Sequence, residues 1–204
     1  MSFHPKMSYD ATFHKSARTL APKEPGAPFV YTAENRARFD VVVQRYPAES
    51  KRSAVLPALY LVQAQQGFIT ASAMRYVAGL LEITPADVED VVSYYTMFHT
   101  KPVGTFVISV CRTLSCALNG AERVTEALTA KLGISPGETD ASGTFTLVEA
   151  ECLGACDRAP LVMVNDAWHE CLTPDKVSAL VDDLRARGEA ALSGCHLVVE
   201  ERTR

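Results

Sequence analysis

Four of the six cysteines in this chain fall in two tight pairs, Cys111 and Cys116 in CRTLSC and Cys152 and Cys156 in CLGAC. Each pair follows a β-rich run, VGTFVISV before Cys111 and GTFTLVEAE before Cys152. Those runs predict two strands that end at the pairs. If the strands are neighbours, four thiolates converge on one point. Structural zinc takes four thiolates, but its usual pairs sit in CxxC-type turns, so this spacing permits zinc without recommending it. A thioredoxin-type redox pair needs a CxxC opening a helix, and none is present. A two-iron cluster also takes four thiolates, and its rhomb is longer than a single ion, so wider pairs can approach it from opposite sides. Neither the bacterial four-iron run nor the plant-type CxxxxCxxC pattern fits, because no third cysteine closely follows Cys116. The residues alone put a cluster modestly ahead of zinc in a non-enzymatic binding module.

Composition narrows the setting. The chain has 204 residues, 48% of them hydrophobic, so a sizeable core forms without disulfide staples. Its formal net charge of -4 and the lack of any Lys/Arg cluster argue against nucleic acid as a partner. No apolar run reaches the roughly 18 to 20 residues needed to cross a bilayer. The first residues lack the apolar core of a secretory signal, which favours reduced thiols over disulfides. Lys6, Lys15 and Arg18 against Asp10 leave a mitochondrial transit peptide as the weaker alternative.

The elements that must position the cysteines follow from periodicity. Residues 1–31, with Pro5, Pro22, Pro25, Pro28 and Gly26, are expected to form a flexible arm. Four short helices then make a bundle over 32–100: one capped by Thr32 and stopped by Pro47, one over about 53–66 ending at Gly67, one opened by Thr70, and one opened by Thr84-Pro85-Ala86-Asp87. His99 has no second ligand at metal spacing and is read as structural. Past Lys101-Pro102-Val103-Gly104 the apolar period changes from about 3.6 to 2, marking a domain boundary. The second domain, 104–188, is expected to run strand 105–110, helix 120–132, strand 144–150, strand 161–165, strand 167–172 and helix 174–187. Asn165-Asp166 makes the hairpin turn. Strand, helix, strand, hairpin and closing helix is the order of a thioredoxin-like layer. The expected fold class is thus α+β, a four-helix bundle followed by a thioredoxin-like domain with a four-stranded mixed sheet, and residues 189–204 a loosely attached tail.

VCRTLSCALNG and EAECLGACDRAPLVMVND, preceded by RSAVLPALYLVQAQQGF and DVVSYYTMFHTKP, resemble the 24 kDa [2Fe-2S] subunit family of NADH:quinone oxidoreductase, respiratory complex I, over about residues 39–184. The similar small subunits of soluble NAD-linked hydrogenases and formate dehydrogenases are the alternative. The resemblance implies one [2Fe-2S] cluster on Cys111, Cys116, Cys152 and Cys156, carried by a thioredoxin-like fold. It implies an electron-transfer subunit with no complete active site of its own. FMN and NADH would sit on a partner flavoprotein subunit, with other complex I subunits as further partners. It also implies a peripheral position on the cytoplasmic side of the bacterial inner membrane, held there by the complex and not by insertion.

The remaining candidates carry less. Neither GxGxxG nor GxxxxGK[ST] occurs, so nucleotide chemistry belongs to another chain. Gly120 and Gly154 allow turns that aim backbone N–H groups at anionic sulfur, and Pro160 bounds the loop before the third strand. Cys171 is expected in a strand as a buried, inert thiol, and Cys195 is given no ligand role. Trp168 is read as a packing anchor, and Arg112 and Arg158 as charges beside the cysteine pairs.

Overall fold

The computed structural model describes residues 28–192, which divide at Pro102/Val103 into two compact units. In the first unit, α1 (Ala33–Val43) starts where the Thr32 hydroxyl accepts the Asn35 amide. A 3-10 segment, Ala48–Ala54, leads into α2 (Val55–Gln66), which Gly67 ends with a φ of 84°. The expected helix from Ser53 therefore begins as a different coil. Ser50 at φ -112° breaks the helical run, and Pro57, lacking an N–H, is tolerated only in the first turn of the α-helix proper. Thr70 caps α3 (Ala71–Leu81), and Thr84 with Asp87 forms a reciprocal capping box on α4 (Pro85–Tyr94). Leu59, Val62, Val77, Ala78 and Val88 close the bundle core. His99 belongs to its backbone framework: its amide donates to Gln63 and its carbonyl accepts from Ile69.

Part of the expected arm is packed. Tyr31 is buried, its hydroxyl donates to the Ala58 carbonyl at 2.7 Å, and the Phe29 amide donates to Ser72. Two aromatic rings inside a proline-rich stretch outweighed its loop composition. Residues 1–27 and 193–204, including Cys195, lie outside the described residues.

The second unit is a mixed α/β layer. Strand β1 (Phe106–Cys111) pairs in parallel with β2 (Phe145–Ala150) and antiparallel with β3 (Val162–Val164), which forms a hairpin with β4 (Ala167–His169). The sheet order is β2-β1-β3-β4. Between β1 and β2 run α5 (Leu114–Leu118) and α6 (Ala121–Leu132), and α7 (Pro174–Arg187) follows the hairpin. Phe106, Ile108 and Val110 alternate into a core with Val124 and Leu128 of α6 and Val177, Val181 and Leu184 of α7. Lys131 and Asp182 tie α6 to α7 at 2.8 Å. Asn165, at φ 52°, makes the hairpin turn, and its side chain accepts from the Val107 amide and donates to the Thr105 carbonyl.

Four sequence expectations change here. The single helix 120–132 is preceded by α5, separated from α6 by Gly120 at φ 94°. The strand expected to reach residue 172 ends at His169. Cys171 sits beyond it in a turn at φ 48° and is exposed, not buried, because its amide bonds back to the Arg158 carbonyl instead of a neighbouring strand. Residues Gly188–Leu192 form a 3-10 turn whose Leu192 is buried against the sheet core.

Candidate metal centre

The C-terminal ends of β1 and β2 form one edge of the sheet, and both cysteine pairs begin there. The Cys111 amide donates to the Leu161 carbonyl at 3.1 Å, and the Arg112 amide donates to Ala150 at 3.1 Å. The end of β1 is thus held on both sides before the chain turns into α5. That short helix carries Cys116 back against Cys111, and both thiols are buried in a small cluster with Ala121, Ala155 and Leu161. Trp168 packs against the same cluster, as a packing anchor should. Leu114 and Leu118, to either side of Cys116 on α5, are strongly exposed.

The second pair approaches from the loop after β2. Gly154, at φ 82°, turns that loop, and the Cys111 thiol donates to the carbonyl of Glu151, just before Cys152, at 3.9 Å. A 3-10 turn, Cys156–Arg158, follows, and Cys156 is close enough to Cys116 to affect its charge. Ala155, the residue before Cys156, is buried in the same small cluster as Cys111 and Cys116. Cys152, exposed like Cys156, stands next to Leu153 at the mouth of the same loop. The Ala159–Pro160 peptide is cis, and the Pro160 carbonyl accepts the Leu172 amide.

The electrostatics separate the two buried thiols. Burial pushes the Cys116 thiol up, to about 11, and the hydrogen bond with Cys111 and the negative charges available at Cys111 and Cys156 push in the same direction. Burial also opposes ionisation of Cys111, but the amides of Thr113 and Leu153, the Cys116 thiol and the Thr113 hydroxyl outweigh it and bring Cys111 below the ordinary thiol value. One thiolate is favoured here and a second is penalised by the first. A cationic centre between them removes that penalty, because bound thiolates are held deprotonated by the metal charge.

The donor set fits such a centre. It consists of soft thiols, two of them buried and the other two exposed on a loop whose Glu151 carbonyl meets the Cys111 sulfur at 3.9 Å. Among the described residues no three His, Cys, Asp or Glu side chains meet as ligands of a single ion. Two pairs at opposite ends of a two-iron rhomb need no such convergence.

Sequence reasoning singled out the thiols and the flanking Arg112 and Arg158, and missed the partners of the two arginines. Arg112 pairs with Glu151 and, at 3.8 Å, with Glu149, while Arg158 pairs with Asp157 and Glu170, each at 3.3 Å. The amides of Thr113, Leu153 and Leu161 carry no side-chain signature that a sequence could display. Glu149 and Glu151 had one: they flank Ala150, which the parallel register places opposite Cys111.

Comparison with known proteins places this arrangement in context. Residues 39–185 match the family model described as thioredoxin-like [2Fe-2S] ferredoxin. The chain is 42% identical over 158 residues to an NADH-quinone oxidoreductase subunit of Rickettsia bellii, covering 77% of this chain and 95% of that protein. It is 39% identical over 165 residues to the like-named subunit from Mycobacterium tuberculosis, covering 79% of this chain and 65% of that protein. Among solved structures, an NAD+-reducing [NiFe]-hydrogenase in its H2-reduced state superposes with a TM-score of 0.58 at 21% identity, over 66% of this chain and 22% of the hydrogenase chain. That last likeness is one of fold.

Proposed function

We infer the function from one premise: the chain belongs to the thioredoxin-like [2Fe-2S] ferredoxin family. We propose that Cys111, Cys116, Cys152 and Cys156 hold one [2Fe-2S] cluster within a domain of residues 104–188. On this reading the chain is the electron-transfer subunit of an NADH-quinone oxidoreductase. When bound, the cluster supplies a one-electron couple.

The observation that carries the reading is the contact of the Cys111 thiol with the Glu151 carbonyl, at 3.9 Å. It ties the loop of the second cysteine pair to the first, which brings both pairs to one sheet edge. The chain's residues then have distinct work. Four thiolates bind, and Leu161, Ala155 and Trp168 keep water from the buried side. No residue need act as acid, base or nucleophile.

The sequence contains no nucleotide-binding loop, so NADH and FMN belong to a partner flavoprotein subunit. This chain would accept single electrons from the reduced flavin and return them singly. The shared name of the bacterial relatives supports a complex of that kind. Among the described residues no helix is long and apolar enough to cross a membrane. We accordingly place the chain peripherally, on the cytoplasmic side of the inner membrane, attached through the complex.

Anaerobic purification of the full chain tests the reading. The expected product is brown, with about two irons and two acid-labile sulfides per chain, and gives a paramagnetic signal on one-electron reduction. Colourless protein holding stoichiometric zinc overturns it.

A further inference from the structure

We propose that the Thr113 hydroxyl is a positioning group that raises the reduction potential of the site by donating a hydrogen bond to the Cys111 sulfur. This rests on the cluster reading above. Five described helices begin after a threonine: Thr32, Thr70, Thr84, Thr113 and Thr173. In the first three the hydroxyl accepts the amide three residues on, at 3.2 Å each time. That is the ordinary work of threonine at a helix start. Thr113 and Thr173 make no such bond. What distinguishes Thr113 is where its hydroxyl goes: the oxygen lies 4.0 Å from Cys111 Sγ, at the long reach that sulfur's size allows, and the protonated Cys111 thiol donates to it.

The rest of Thr113 is committed to the same end of β1. Its carbonyl accepts the Ala117 amide at 2.9 Å, closing the first turn of α5 without help from the hydroxyl. A metal-bound thiolate would have no proton and could only accept, which would reverse that bond and make the hydroxyl the donor. Adding an electron increases the negative charge shared by the sulfur ligands. A donor aimed at sulfur therefore stabilises the reduced state more than the oxidised one and raises the potential.

The test uses the full chain with its cluster, as wild type, Thr113→Val and Thr113→Ser. Valine keeps the branched shape and the amide but lacks the hydroxyl, whereas serine restores it. Redox titration followed by the reduced-state paramagnetic signal is expected to show a lower potential in Thr113→Val. The reduced-to-oxidised ratio at a fixed ambient potential should fall about tenfold, which for one electron is about 59 mV. Thr113→Ser should stay near wild type. A proton coupling that exchanges in deuterated water should be present in wild type and Thr113→Ser and lost in Thr113→Val. Melting temperature should be alike in all three, since no capping bond is removed. An unshifted potential in Thr113→Val overturns the inference alone. So does a lowered potential that serine does not rescue and that accompanies a lowered melting temperature, which would mark Thr113 as structural. A wild-type chain that holds no cluster overturns the site reading and this inference with it.

Discussion

Arg112, the residue after the first cysteine, is ion-paired with Glu151, the residue before the third. Glu149 reaches the same guanidinium at 3.8 Å. The guanidinium next to Cys111 in sequence is therefore shared by two carboxylates. Glu151→Gln should raise the reduction potential by removing one negative charge, and Arg112→Gln should lower it. Both groups contact solvent, so screening keeps each shift below about 59 mV and shrinks it further as salt is added. Potentiometric titrations at low and high ionic strength check this; shifts of the same sign in the two variants would defeat the electrostatic account.

Gly104, at the entry to β1, is fixed by space. A Cβ there would stand 2.7 Å from the backbone N and C of Phe145 and from the carbonyl carbon of Thr144. The Gly104 amide also donates to the buried Thr146 hydroxyl at 2.6 Å. Backbone atoms of a paired strand cannot give way as a flexible side chain can. Gly104→Ala should destabilise the sheet unit by about 1–3 kcal/mol or more. Urea unfolding followed through the midpoint at constant slope reports the loss. A wild-type midpoint would mean that β2 shifts freely.

Much of this fold was legible because its signals are local. Thr84-Pro85-Ala86-Asp87 predicts a helix start and builds a complete capping box, and Gly133 predicts the end of α6 and adopts a φ of 73° there. The two β-rich runs predict neighbouring strands, and β1 and β2 pair in parallel. What escaped depends on partners distant in sequence or on pieces too short to show a period. Helix α5 spans five residues, barely more than one turn, so no apolar repeat can announce it. Cys171 sits in an alternating stretch that reads as strand, yet its amide is claimed by Arg158 of the cysteine loop. The donors at the candidate site are mostly backbone amides, which every residue has, so only folding reveals which of them reach sulfur.

Asp140 supplies an acid-sensitive clasp before β2. One carboxylate oxygen accepts the Thr144 amide at 2.7 Å and the Phe145 amide at 3.1 Å, and the other accepts the Ser142 hydroxyl at 2.8 Å. Desolvation pushes this carboxyl up, but those donors, led by the Phe145 amide, outweigh it and hold it below the usual carboxylate value. A group with a depressed folded value contributes stability that is fully present above the unfolded value, about 3.9 for Asp, and is lost as pH falls through the folded value. Asp140→Asn should lower stability at about pH 7 and flatten the decline of stability below about pH 4. Unfolding midpoints measured across that range decide it; parallel curves for the two proteins would show that the clasp does not couple to folding.

The cysteines separate ligand from bystander most directly. Cys111 and Cys116 are buried in one cluster with Ala155, the neighbour of Cys156, and Cys152 follows Glu151, whose carbonyl meets the Cys111 thiol at 3.9 Å. Cys171 is exposed in a separate turn, and its carbonyl accepts from Lys176 at 2.9 Å. A two-iron cluster uses four thiolates, so removing any one of the first four should abolish the wild-type reduced-state signal and the stoichiometric iron, whereas Cys171→Ala should preserve both. Cys156→Ala is the sharpest case, because this cysteine is exposed in the fold and its loss should leave the sheet core intact. Circular dichroism should match wild type while iron and acid-labile sulfide are lost. An unchanged signal in Cys156→Ala, or its disappearance in Cys171→Ala, would refute the ligand set.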